Sequence, residues 1–270
     1  MTSTVRQPAI FLSHGGGPCF WMDWPAPFGP GAWDGLGAYL ESIAPRLPER
    51  PKAILVISAH WETERPTVGS AAQPVMIYDY YGFPEHTYQL QYPAAGSPEL
   101  AGLVRALLSQ AGIAADEDPD RGFDHGVFVP LLKAFPGADI PVVTLSLRHD
   151  LDPAAHLAIG RALEPLRDEG VLILGSGMSF HDLRHFRDGE GAISEGFDAW
   201  LQDAVTHETA QTRVERLTDW ALAPFARSAH PREEHLLPLM VVAGAAGHDL
   251  GRADYSEVIG GKRISGFAFG

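Results

Sequence analysis

Ala53-Ile54-Leu55-Val56-Ile57-Ser58-Ala59-His60-Trp61 is the stretch that decides the fold class. Its first six residues form a short run of apolar and β-branched side chains, the pattern of a buried strand. Such a run belongs in a sheet covered on both faces. Ala9 to Leu12, Pro141 to Leu147 and Val171 to Leu174 read the same way. Between them, Leu36 to Leu47, Pro98 to Ala111, Pro153 to Asp168 and Phe197 to Thr206 carry apolar residues at spacings of three and four, which predicts helices. Strands alternating with helices imply an α/β fold, with a central mainly parallel or mixed sheet flanked by helices. Pro238 to Ala246 is apolar throughout and predicts a buried helix, and Val258 to Phe269 predicts a final strand. No repeat, low-complexity tract or linker divides the sequence, so residues 1–270 are expected to form one domain.

Composition removes several function classes. The net charge of −14, from 20 basic and 34 acidic residues, argues against a nucleic-acid partner, because gripping a phosphate backbone takes clustered Lys and Arg. The single cysteine, Cys19, can form no internal disulfide and no Cys-rich metal cluster, which fits a reducing cytoplasm. Met1 to Pro8 lacks the charged and apolar regions of an export signal, and no window reaches about 18 uninterrupted apolar residues, so neither export nor membrane insertion is expected. Glycine (29) and proline (22) together exceed their roughly 12% average usage, pointing to long structured loops of the kind that carry sites.

In open α/β sheets, ligands sit beyond the carboxyl ends of the strands. Histidine recurs at those places: His14 in Leu12-Ser13-His14-Gly15-Gly16-Gly17-Pro18, His60 in Ser58-Ala59-His60-Trp61, and His181 in Gly175-Ser176-Gly177-Met178-Ser179-Phe180-His181-Asp182. His125 in Gly122-Phe123-Asp124-His125-Gly126 and His235 in His230-Pro231-Arg232-Glu233-Glu234-His235 complete the set. A single histidine at a strand end is usually a loop or core residue, but three converge on one rim of the fold. Neutral imidazoles with open coordination positions suit Fe(II), Zn(II) or Mn(II). Asp124, Asp182, Glu62 and Glu234 are the acids placed to orient the rings. Phe20 to Phe28 and Trp33 supply aromatic side chains, either to wall a substrate or to anchor a loop on the core. His86, His149, His156, His185, His207, His230 and His248 read as surface residues or loop anchors. Arg148, Arg184 and Arg232 are the candidates for binding a substrate carboxylate.

Other motifs fail on spacing. His14-Gly15-Gly16-Gly17 resembles an esterase oxyanion loop, yet no Gly-x-Ser-x-Gly follows, and no Gly-Lys-Ser/Thr makes it a phosphate loop. His230 to His235 is one residue longer than the inverzincin pattern, and His-Glu-x-x-His is absent.

Taken together, His14-Gly15-Gly16-Gly17-Pro18, Val56 to Glu62, Tyr78 to Pro84, Tyr92-Pro93-Ala94, Gly122 to Gly126, Ser176-Gly177 through Leu183 and Glu234 to Leu239 resemble the DODA-type, LigB-like extradiol aromatic ring-opening dioxygenases. The resemblance spans nearly the whole chain. It implies that His14, His60 and His235 bind the metal, that His181 is the acid–base residue and that His125 stands beside the substrate. It implies Fe(II) for activity, with Zn(II) as an alternative bound metal, and a small aromatic diol plus O2 as reactants. DOPA-, caffeate- and protocatechuate-like diols all fit it, with a muconic semialdehyde as product, and a homo-oligomer is allowed. Because three histidines differ from the usual two-His-one-carboxylate set, Glu234 is held as an alternative ligand. Some relatives have a shorter His-Gly-Ser-Pro loop, so the three glycines here bear on the pocket. Two other readings of the same histidines are a zinc hydrolase and a non-enzymatic scaffold like the cell-motility mediator Memo.

Overall fold

A computed structural model of the protein describes residues 5–26, 28–182, 184, 191–207 and 209–270. Pro27, Leu183 and His185, which belong to segments singled out above, lie outside the described residues. The strands are β1 (Ala9–Ser13), β2 (Ala53–Thr63), β3 (Thr67–Gly69), β4 (Asp116–Asp118), β5 (Val142–Arg148), β6 (Val171–Gly177), β7 (Gly251–Ile259) and β8 (Lys262–Phe269). They form one sheet in the order β4-β3-β5-β2-β6-β1-β8-β7. Its centre, β5-β2-β6-β1, is parallel, and antiparallel pairs flank it at β3 with β5, β1 with β8 and β7 with β8. The α/β expectation holds in its mixed-sheet form.

The helices are α1 (Asp34–Arg46), α2 (Pro98–Gln110), α3 (His125–Ala134), α4 (Pro153–Leu163), α5 (Ala192–Val205), α6 (Ala210–Thr218), the single turn α7 (Ala226–Ala229) and α8 (Leu237–Ala245). Every residue of α8 is buried, which explains its lack of periodicity, because a helix covered on all sides has no polar face. It packs on β6, β1 and β2, with α4 against its other side. Two glycines allow that close approach. A Cβ on Gly160 of α4 would lie 1.9 Å from Val241 O, and one on Gly244 of α8 would lie 2.2 Å from Leu157 O.

β3, β4, α3, α6 and α7 have no counterpart in the sequence reading, and three of the expected elements differ in extent by more than their ends. Val258 to Phe269 contains the end of one strand and all of another: β7 and β8 form a hairpin turned at Gly260 and Gly261, both with positive φ, as a two-residue hairpin turn demands. β7 escaped because Arg252, Asp254, Ser256 and Glu257 give it a polar composition, which an edge strand tolerates. The Pro153 to Asp168 helix ends at Leu163, and a 3-10 turn (Glu164–Arg167) containing Pro165 follows, since proline cannot donate the next helical hydrogen bond. The third difference is that β2 runs to Thr63 rather than stopping at Ser58. Its ladder with β5 is irregular between Ile57 and Glu62, and a bulge of this kind re-aims side chains. His60 therefore lies within the irregular part of a strand, not after its end.

Candidate metal centre

Each of the five histidines reaches one hollow from a different element. His14 follows β1, and its N–H donates to Gly177 O at 3.2 Å, tying it to the end of β6. The chain then turns away through Gly15 and Gly17, at φ +80° and +56°, a conformation that side-chain-bearing residues rarely adopt. His60 comes from the bulge of β2, where Ser58 Oγ accepts its N–H at 3.2 Å and donates to Asp124 Oδ1 at 2.7 Å. His125 is the first residue of α3, with its N–H held by Asp79 Oδ1 at 2.9 Å in place of a helix cap. His181 lies beyond β6, its N–H donating to Ala229 O at 2.9 Å. His235 stands ahead of α8, and its carbonyl accepts from Met178 N–H at 3.0 Å.

The ring centroids of His14, His60 and His235 are 4.8, 5.2 and 4.9 Å apart pairwise. His125 lies 3.9 Å from His60, and His181 stacks on His235 at 3.4 Å. One ring nitrogen from each of His14, His60 and His235 falls within a 4.8 Å cluster.

Tautomers follow from the partners. Ser176 Oγ donates to Gly126 O, so it accepts from His14 Nδ1 at 3.1 Å and leaves His14 Nε2 without a proton. His235 Nδ1 faces Glu234 Oε1 at 2.8 Å, and its Nε2 is bare for the same reason. His60 turns Nδ1 toward Asp79 Oδ2 at 3.6 Å. His14 Nε2, which carries a lone pair, meets His60 Nε2 at 3.1 Å. Two nitrogens bound to one ion at about 2.0–2.1 Å stand roughly 3.0–3.4 Å apart, so the spacing of the pair fits a shared cation.

Electrostatics keep the donors neutral. Burial, reinforced by the neighbouring rings, holds His14 and His235 well below the ordinary histidine range and lowers His60 to about 3. Unprotonated imidazole is the form that binds metal. Asp79 is pushed up by burial, but the His125 ring and backbone and the His60 ring pull it down to about 2, so it stays a carboxylate. Its Oδ1 holds His125 Nδ1 at 2.8 Å. Sequence reading quoted Asp79 within Tyr78 to Pro84 but gave it no role; its distance from His125 in the chain concealed it.

The other named acids divide. Glu234 touches His235 Nδ1 and also His181 Nδ1, at 3.3 Å, and so sits behind the rings. Asp124 reaches Ser58 and Arg121, Asp182 pairs with Arg184, and Glu62 takes both arms of Arg232 at 2.6 and 2.5 Å. Arg148 pairs with Asp150, so all three arginines nominated for a substrate carboxylate are engaged by acids of the protein. Among the histidines set aside, His156 and His230 are fully buried anchors that bond backbone groups. His86, His149 and His248 are exposed.

A cavity of about 460 Å³ opens over the histidines, walled by the glycine loop, Trp24, Phe28, Trp33, Phe83 and Met178. Trp24 also donates to Cys19 O at 3.1 Å, and Trp33 is buried. The aromatic stretch therefore serves both as loop anchor and as cavity wall.

A mixed α/β sheet that gathers five imidazoles on the floor of an aromatic cavity defines a class, the α/β proteins with a histidine site able to hold a metal beside a small planar molecule. The comparisons narrow it. Residues 8–263 match the family described as the catalytic LigB subunit of aromatic ring-opening dioxygenase. The chain belongs to this LigB family and is an extradiol ring-cleaving dioxygenase. It is 43% identical over 219 residues to 4,5-DOPA dioxygenase extradiol of Beta vulgaris, covering 78% of this chain and 80% of that one. Dioxygenase tasH of Hapsidospora irregularis is 40% identical over 261 residues, 88% and 78% of the two chains. A crystal structure of an uncharacterised protein from Escherichia coli K12 superposes with a TM-score of 0.77 at 30% identity, covering 98% of this chain and 100% of that one. Among the described residues no helix is long and apolar enough to cross a membrane.

Proposed function

We propose that this chain cleaves a catechol-type diol beside its hydroxyl groups, using O2 and a non-haem Fe(II) held by His14, His60 and His235. The supporting observation is the 3.1 Å approach of His14 Nε2 and His60 Nε2 on the floor of an aromatic cavity. Bound Fe(II) would supply the redox-active open positions that a singlet ring and triplet O2 need, which zinc alone lacks. The protein does the rest. Ser176 and Glu234 fix the His14 and His235 rings with Nε2 forward, and the Asp79 carboxylate lies 3.6 Å from His60 Nδ1. His181, backed by the Glu234 carboxylate, takes a proton from the diol and returns it as the ring opens. His125, with Nδ1 committed to Asp79, offers Nε2 to the second hydroxyl. Glu234 acts behind the histidines rather than as a ligand, and the reducing cytoplasm suits a ferrous site.

The test is anaerobic loading with Fe(II), then addition of a catechol panel and air while O2 uptake and the yellow ring-opened product are followed. His60→Ala is expected to lose iron. His181→Ala is expected to keep iron and lose about 10²–10⁴-fold in turnover. Stoichiometric iron in His60→Ala would overturn the ligand set. Ester cleavage without O2 uptake would favour a zinc hydrolase, and absence of any turnover a scaffold.

A further inference from the structure

We infer that His230 is a positioning residue for ring opening, holding through the Ser179 carbonyl the segment that presents His181 to the substrate. This rests on the reading of His181 as the acid–base residue and adds the side chain that aims it.

His181 follows β6 by way of Met178, Ser179 and Phe180, and this segment lies against the one that runs from α7 to His235. Two ties between them are backbone bonds that any side chain permits: Met178 N–H donates to His235 O at 3.0 Å, and His181 N–H to Ala229 O at 2.9 Å. The tie between those two is made by a side chain, His230 Nε2 donating to Ser179 O at 3.0 Å. A carbonyl only accepts, so the ring proton sits on Nε2. Among the described residues no other donor reaches Ser179 O, and His230 Nδ1 has no partner.

The His230 ring is fully buried, with Phe197 of α5 and Trp220 standing edge-on to it at 5.4 and 5.9 Å. On its other side Ser179 is held by β8, where Ser265 N–H donates to Ser179 Oγ at 2.8 Å. Two residues ahead of His181, the chain is therefore fixed from both directions. Phenylalanine or methionine would fill an aromatic pocket of this kind without burying a bare nitrogen, so what the imidazole adds there is its N–H.

The arrangement it maintains is narrow. His181 stacks on His235 with the centroids 3.4 Å apart and the planes 17° from parallel, and one Glu234 oxygen faces both Nδ1 atoms. Releasing Ser179 lets the 178–181 segment shift between its remaining ties, and a displacement of about 1 Å at a reacting group is worth about 10²-fold in rate.

With Fe(II)-loaded enzyme and 4-methylcatechol, His230→Phe is expected to lower kcat about 10–100-fold, while bound iron stays stoichiometric and KM changes little. His230→Gln, whose longer amide returns a donor to Ser179 O, is expected to recover most of the loss. The solvent deuterium isotope effect on kcat should rise in His230→Phe, as proton transfer through a displaced His181 becomes limiting; a loss of packing alone would not move it. In a His181→Ala background the same substitution should cost almost nothing, since the two residues act as a unit. His230→Met takes the place of His230→Phe if that variant does not fold. Wild-type kcat in the donor-less variant, an equal loss in His230→Gln, a full further loss on top of His181→Ala, or loss of iron in step with kcat would each overturn the inference. Undiminished turnover in His181→Ala itself would overturn the acid–base reading, and the inference with it.

Discussion

Glu234 sets one carboxylate oxygen 2.8 Å from His235 Nδ1 and 3.3 Å from His181 Nδ1, so a single acid fixes the tautomer of a proposed metal ligand and of the proposed acid–base residue. Burial disfavours its charge, but hydrogen bonding to His181 and its own backbone and the charge of Arg232 outweigh that and lower its pKa. It remains ionised near neutrality. Glu234→Gln keeps the shape and removes the charge, leaving one acceptor for two N–H groups. The expected outcome is a drop of about 10–100-fold in both iron affinity and kcat, the usual effect of losing a carboxylate behind a ligand histidine. Metal titration and steady-state kinetics check it; wild-type values for both would show that the contact with His181 is idle.

Between elements, glycines set the distances. A Cβ on Gly177 of β6 would stand 2.1 Å from His235 O, and one on Gly175 would stand 2.6 Å from Pro238 O, so β6 has no side chain where the entry to α8 must lie against it. Gly177→Ala should push His235 off the cluster and weaken iron binding at least about tenfold. Gly160→Ala strains only the α4–α8 contact, so it should lower stability by about 1–3 kcal/mol and leave iron stoichiometry unchanged. Urea unfolding and iron analysis of the two variants separate the cases. Equal iron binding by Gly177→Ala and wild type would mean that the close approach does not position His235. Such spacings were illegible in the sequence, where Gly175 and Gly177 read only as strand-end residues.

Across the whole molecule, burying several neutral histidines ties stability to pH. Burial lowers His230 to about 4, while Ser179 O pulls the other way, and His60 is lowered to about 3. The unfolded chain binds these protons below pH about 6.5, whereas the folded protein does not until about 4 or lower. Stability of the metal-free protein therefore rises with pH through that window and is flat above it, at about 2 kcal/mol per such histidine between pH 5 and 7. Urea midpoints at the two pH values measure this, and His230→Phe should reduce the slope; equal midpoints in the wild type would refute it. The central strands β1, β2, β5 and β6, the last strand β8, most helices and the five histidines could be read from the chain, because apolar periodicity and strand-end position are local properties. The polar edge strand β7, the bulge that aims His60 and the helix beginning at His125 could not, because sheet neighbours and distant partners determine them. By itself the sequence determined an α/β sheet with imidazoles near its rim. Only the tertiary structure decided which nitrogens face one another, that Asp79 and Glu234 hold them, and that the surrounding wall is aromatic, since these depend on through-space distances between segments far apart in the chain.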